Sequence, residues 1–190
     1  MVEFIHIWLI SFSFSIKILR DCDSTLIPSG DQIKLIKGTL VRVTQALGGD
    51  YTLYVNGNLV KISGSDADAI GKEVEEDLTK NIINNGEYSE ELVWEQLKTC
   101  YDPEIPVNIV DLGLIYDLSK EGSDQKGYTI NIKMTLTAPG CGMGPSIAQD
   151  VENKVMVLPK VNNVLVEIVW DPVWDRSMMT EDAKLKLGMF

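Results

Sequence analysis

The first half of the chain alternates short apolar runs with glycine-rich breaks, which is the pattern of a small antiparallel sheet. The apolar runs cover residues 33–45, 51–55 and 58–62. Gly48-Gly49-Asp50 separates the first two runs, and Asn56-Gly57 separates the last two. Asn-Gly is the dipeptide that a two-residue type I′ hairpin favours, because both central residues need a positive φ. We therefore predict a small β-rich domain over residues 20–70.

Segments of different character flank this β unit on both sides. Residues 71–86 are polar and acidic and end in Asn84-Asn85-Gly86, which predicts a short helix followed by a linker. Residues 1–19 form an N-terminal extension whose apolar run is too short for a membrane-spanning helix of roughly 20 residues. The alternation over residues 11–18 predicts a half-buried edge strand, and the alternative is an extension with no role.

In the second half, residues 87–190, segments with apolar residues at helical spacing alternate with segments in which every second residue is apolar, as in strands. Ser89 before two glutamates is a helix start, and Pro145 and Thr180 mark two more. Val93, Leu97 and Cys100 fall on one face of the first helix, which predicts their burial. Strands are predicted at residues 115–118, 128–136 and 164–170. The fold class is therefore α+β, a compact α-β-β-α-β-α domain preceded by the antiparallel β unit.

Charge and residue counts narrow the classes of function. The net charge is −11, from 28 acidic and 17 basic residues, so nucleic acid and membrane surfaces are not expected partners. Three cysteines make a poor disulfide framework, which favours a reducing compartment, by default the cytoplasm. His6 is the single histidine and lies far from the other candidate residues, so we predict no catalytic residues and no enzyme.

Cys141 is the candidate for chemistry, because it lies in a glycine-rich loop between a predicted strand and a predicted helix start. Backbone amides and the dipole at a helix N-terminus favour thiolate over thiol, and Gly140 and Gly142 allow a partner or metal to approach closely. The structural alternative is a buried cysteine in a tight turn. A standard cluster needs four thiolates, so any cluster must be shared with a second copy, small thiols or a client protein.

Two further groups of residues have both a structural and a functional interpretation. Asp102, Pro103, Glu104, Asp111 and Gly113 can form turns, or Glu104 or Asp111 can lie across from Cys141 as an oxygen ligand to iron or a proton acceptor. The aromatic and thioether cluster near the C-terminus either covers the core or forms an interaction surface. Its members are Trp170, Pro172, Trp174, Met178 and Met179.

Three segments of the second half resemble iron-sulfur assembly proteins of the SufT and PaaD type. They are DPEIPVNIVDLGLIYDL (102–118), MTLTAPGCGMG (134–144) and VWDPVWDRSMMTEDAKLKLGMF (169–190). Residues 26–71 resemble the N-terminal extension of SufT proteins, whereas residues 1–19 depart from the pattern. The resemblance implies an accessory factor in iron-sulfur protein maturation with Cys141 as its functional cysteine. Asp102, Glu104 and Asp111 belong to its acidic motif, and Thr137 lies in the loop motif.

The expected function is to bind or relay iron or an iron-sulfur cluster through Cys141, transiently or shared between chains. Expected partners are iron-sulfur scaffold or carrier proteins and client apoproteins, with a homodimer as one way to share a cluster. The first alternative is a metal-free adapter that docks clients through the Trp170–Met179 surface. A thiol redox protein is disfavoured, because no Cys-x-x-Cys pair supplies a resolving thiol.

Overall fold

The fold was analysed in a computed structural model that describes residues 15–74 and 86–189. These residues divide into two compact units, one formed by 15–27 and 31–74 and the other by 28–30 and 86–189. The predicted linker at 71–86 lies mostly outside the described residues, as do residues 1–14 of the predicted extension. Within the described residues, no helix has the length and apolar character needed to cross a membrane.

The first unit contains a six-stranded antiparallel sheet in the order β1-β4-β5-β6-β2-β3. Its strands are β1 (Ile16–Lys17), β2 (Cys22–Ile27), β3 (Gln32–Leu35), β4 (Leu40–Leu47), β5 (Asp50–Val55) and β6 (Asn58–Ile62). The core lies on one face, where Leu53, Val60 and Ile62 are almost fully buried. A 3-10 helix, Gly64–Ile70, follows β6 and places Ala67, Ala69 and Ile70 in the same core.

The predicted antiparallel sheet is confirmed, with two differences in detail. Asn56 and Gly57 adopt φ of 49° and 88° in the β5–β6 turn, as a type I′ hairpin requires. The run predicted at 33–45 is two strands, because Gly38 at φ 88° interrupts it. Strand β2 was not predicted at all, although it lies between β6 and β3. The described end of the extension, β1, is an edge strand.

The second unit alternates helices with a three-stranded sheet in the order β7-β8-β9. Its elements are α1 (Glu90–Leu97), β7 (Ile115–Ser123), β8 (Gly127–Met134), α2 (Gly144–Met156), β9 (Val161–Ile168), a 3-10 helix (Arg176–Met178) and α3 (Glu181–Lys186). The hydroxyls of Ser89 and Thr180 accept hydrogen bonds from amides in the first turns of α1 and α3. The α+β class predicted for the chain is confirmed, and the 3-10 helix is an element that was not predicted.

Helix α2 connects two parallel strands, and its buried side chains contribute to the core of the second unit. Strands β7 and β8 pair antiparallel, whereas β8 and β9 pair parallel, which requires a crossover between them. The alternating residues Ile130, Ile132 and Met134 of β8 are fully buried, as are Ile147 and Val151 of α2. The loop that carries Cys141 is therefore held between the end of β8 and the start of α2.

Candidate functional site

The Cys141 loop is fixed at both ends by buried residues. At its start, Thr135 is buried and its amide donates to the carbonyl of Leu114 at 2.8 Å. At its end, Met143 is fully buried, and the amide of Gly144 donates to the carbonyl of Cys141 at 3.1 Å. Between these anchors, Gly140 has φ of 80°, which glycine adopts at little cost. Cys141 is itself half-buried, so its side chain keeps access to solvent.

Cys141 shares a shallow depression with part of the predicted acidic motif. Within the second unit, the depression is lined by Pro28, Ser29, Asp102, Glu104, Ile105 and the loop residues from Thr137 to Gly142. Asp102 is buried, and its carboxylate accepts a hydrogen bond from the Glu104 amide at 2.9 Å. Glu104 is exposed, so Asp102 holds the turn while Glu104 presents its carboxylate at the depression. Pro103 is buried between them and fixes the backbone of the turn.

Asp111 does not line this depression. The Asn108 side chain accepts from the Asp111 amide and donates to the Asp111 carboxylate, both at 2.8 Å. This reciprocal pair closes a helical turn over residues 108–114, and the amide of Thr180 donates to the carbonyl of Asp111 at 2.9 Å. The residue that caps this turn is thus Asn108. Asn108, a residue type that favours caps and turns, three positions before Asp111 was the signal that could have identified it.

The described residues contain no cluster of three or more His, Cys, Asp or Glu side chains that could hold a metal ion. Glu104 and Cys141 are the two predicted ligands that line one depression. Any iron bound here therefore needs ligands from outside this arrangement, such as a second chain or small thiols.

The other two cysteines are structural. Cys22 is 3% exposed in the core of the first unit, and burial raises the pKa of its thiol. Cys100 is fully buried after α1, where its thiol donates to the carbonyl of Gln96 at 3.7 Å. The predicted burial of Cys100 is confirmed, as is that of Val93 and Leu97.

Alkylation should separate these three thiols. In the native chain at neutral pH, we expect iodoacetamide to modify Cys141 about tenfold faster, or more, than Cys22 or Cys100, because only exposed thiolates react. Burial limits access to both structural thiols, and the raised pKa of Cys22 further lowers its thiolate fraction. Mass spectrometry of quenched samples measures the three rates. After unfolding in urea the rates should converge, and similar rates in the native chain would contradict the assignment.

A C-terminal strap, residues 170–179, runs from β9 back across the turn at 108–114. The indole of Trp174 donates to the carbonyl of Leu112 at 2.8 Å. The hydroxyl of Tyr116 lies 2.9 Å from the carbonyl oxygen of Pro172 and 3.5 Å from Met178 Sδ. Tyr116 was not singled out from the sequence, because its partners are more than fifty residues away in the chain. The strap is thus attached by specific polar contacts as well as by packing.

Burial divides the predicted interaction surface into two parts. Trp170 and Pro172 are exposed, and so is Val173 between the two tryptophans. Met179 is only 6% exposed, so its assignment to the surface was wrong: it packs inward and leads into α3. Trp174 and Met178 are half-buried and act partly as a lid. The strap therefore covers the core with one side and presents apolar side chains with the other.

The chain is similar to known proteins, and the matched family region lies within this second unit. The family model described as "Iron-sulfur cluster assembly protein" matches residues 90–167. A Fe-S protein maturation auxiliary factor of Porphyromonas gingivalis is 44% identical over 100 residues, which cover 53% of this chain and 91% of that protein. The auxiliary factor SufT of Staphylococcus aureus is 41% identical over 88 residues, covering 46% and 96%. A crystal structure of a domain of unknown function from Bacillus anthracis is 35% identical, with a TM-score of 0.48, and covers 53% and 92%.

Proposed function

This chain belongs to the iron-sulfur cluster assembly protein family, and we propose that it is an accessory factor in iron-sulfur protein maturation that relays iron or a cluster through Cys141. One observation supports the proposed role of Cys141. It is the only one of the three cysteines with a solvent-accessible side chain, and it lies on a loop within the matched region. Cys22 and Cys100 are buried and cannot reach an iron atom held by another protein.

The relay is an exchange of ligands in which the iron or cluster is cargo. The Cys141 thiol releases its proton when its sulfur binds iron, and we expect the exposed Glu104 carboxylate, which lines the same depression, to accept that proton or to add an oxygen ligand. A thiolate of the client then replaces the Cys141 sulfur, with no change in oxidation state. The expected partners are scaffold or carrier proteins that supply the cargo and client apoproteins that receive it. Two copies of Cys141 in a homodimer are one way to complete the ligand set.

Anaerobic reconstitution with iron and sulfide tests the relay. We expect the Cys141→Ser variant to lose bound iron and to fail in transfer to an apo-ferredoxin, because serine is a poor ligand for a soft cluster iron. The Cys100→Ala variant is the matched control and should retain both properties. Equal iron in wild type and Cys141→Ser would refute the proposal. Sedimentation measures the mass of the iron-loaded chain. A doubled mass indicates a site shared between two copies, whereas the mass of a single chain indicates a site completed by small thiols.

A second candidate function is a metal-free adapter, and the exposed apolar side chains of the strap favour it. An adapter would capture client apoproteins equally well in wild type and in Cys141→Ser. The resemblance of residues 26–71 to the SufT N-terminal extension stays a prediction, since the family match begins at residue 90.

A further inference from the structure

A groove with a volume of about 270 Å³ lies beside the Cys141 loop, within the second unit. One wall is formed by residues of the loop 136–140, and the other by Trp170, Val173 and Trp174. Val173 is 70% exposed and Trp170 is 43% exposed, and both side chains line this groove. Exposed apolar side chains that line one groove are a candidate contact surface for a partner.

The wall formed by the strap is held in place before any partner arrives. The bond from Trp174 to the carbonyl of Leu112 fixes one end, and the contact of Tyr116 with the carbonyl of Pro172 fixes the other. A preformed site binds without a large ordering cost. Its volume is at the lower end of the roughly 300–1,000 Å³ of typical cofactor and small-molecule sites. The groove is thus sized for one or two side chains of a peptide.

The surroundings of the groove are acidic. Glu104 lines the neighbouring depression, which shares Thr137, Pro139 and Gly140 with the groove. Asp171 and Asp175 are exposed on the strap, on either side of Val173 in the chain; Asp175 also accepts a hydrogen bond from the Ser177 amide, and the exposed Arg176 follows it. Within the described residues, no Lys or Arg lines the groove or this depression. A complementary partner therefore has an apolar anchor with positive charge on both sides of it.

We propose that this groove binds an extended segment of a client protein in which one bulky apolar side chain is flanked by Lys or Arg. The anchor enters between the loop and Val173, while the cationic residues face Glu104 and the strap carboxylates. The inference rests on the proposed function in one respect: a client held here has its cluster ligands next to Cys141, which adjoins the loop wall.

Three dye-labelled peptides test the groove against the full-length chain by fluorescence anisotropy. The first has one phenylalanine between two pairs of lysines, the second has alanine in place of phenylalanine, and the third has glutamates in place of the lysines. We expect saturable binding of the first peptide, with about tenfold weaker binding of the second and at least tenfold weaker binding of the third. Absence of saturable binding, or equal affinity for the first and third peptides, would overturn the proposal.

Matched variants locate the binding site. Val173→Ala should weaken the first peptide about fivefold through the loss of two methyl groups from the groove. Leu165→Ala is the control, because Leu165 is a 54% exposed apolar residue on β9 that does not line the groove. Glu104→Gln should weaken binding about threefold at low salt and have no effect at high salt. Equal effects of Val173→Ala and Leu165→Ala would place the peptide elsewhere and refute the assignment.

The two proposals fail in different ways. The Cys141→Ser variant should bind the first peptide as well as wild type does, because the Cys141 side chain is not part of the groove. Loss of peptide binding in that variant would overturn the groove as the binding site. Normal iron transfer together with no peptide binding would refute the groove as a binding site and support the relay through Cys141. Peptide binding without any iron on Cys141 would support the groove and refute the relay.

Discussion

Replacing Gly113 with alanine is expected to destabilise the second unit by about 3 kcal/mol. Gly113 has φ of 71°, a region that alanine adopts only with strain. A Cβ at this position would also collide with the carbonyl oxygen of Met178, which is backbone and cannot turn aside. The strap must therefore move away from the 108–114 turn or the turn must rearrange. Either change loosens the contacts of Tyr116 and Trp174.

Hydrogen exchange of the β8 amides measures this effect on the second unit alone, because these amides lie in its buried sheet. A loss of about 3 kcal/mol corresponds to roughly a hundredfold faster exchange. Gly188→Ala is the matched control, since Gly188 has φ of 70° but an added Cβ there meets no atom within 4 Å. Gly188→Ala measures the cost of the conformational strain alone. The difference in free energy between the two variants is therefore the cost of the collision. Equal effects would mean that the strap is not packed against Gly113.

The elements that the sequence predicted well are those that depend on neighbouring residues. Ser89, Pro145 and Thr180 act within one helical turn of themselves, so the helix starts could be located from neighbouring residues alone. The alternation in β8 was equally clear, because its buried side chains face one core. Strand β2 was missed because it carries Asp23, Ser24 and Thr25 in place of a clear apolar alternation, and it pairs with β6, a strand far along the chain.

The candidate site shows the same division between local and distant effects. The glycines around Cys141 and the cap formed by Asp102 act within a few residues, and the sequence placed all of them in the site region. Contacts between Trp174 and Leu112 or between Gly113 and Met178 join positions more than sixty residues apart. No periodicity reports such a contact, so the same residues fitted a lid and an interaction surface equally well. Met179 was assigned to the wrong side for this reason.

Trp174 is expected to be the residue on which attachment of the strap depends most. Trp174→Phe keeps an aromatic ring but removes the donor from the carbonyl of Leu112, a residue that is itself fully buried. We expect a loss of about 1–3 kcal/mol for this unpaired acceptor. Trp174→Ala also removes the packing of the indole and should cost about 3–5 kcal/mol in total. Exchange of the β8 amides again measures both losses.

Trp170→Ala is the control that separates a lid from an interaction surface. Trp170 is 43% exposed, so its truncation should cost less than about 1 kcal/mol of stability while it weakens the phenylalanine peptide severalfold. A stability loss as large as that of Trp174→Ala would show that both tryptophans serve only the core, and the exposed wall of the groove would then lose its role in binding. A small loss with weakened binding assigns stability to Trp174 and partner contact to Trp170. The strap would then combine the two roles that the sequence presented as alternatives.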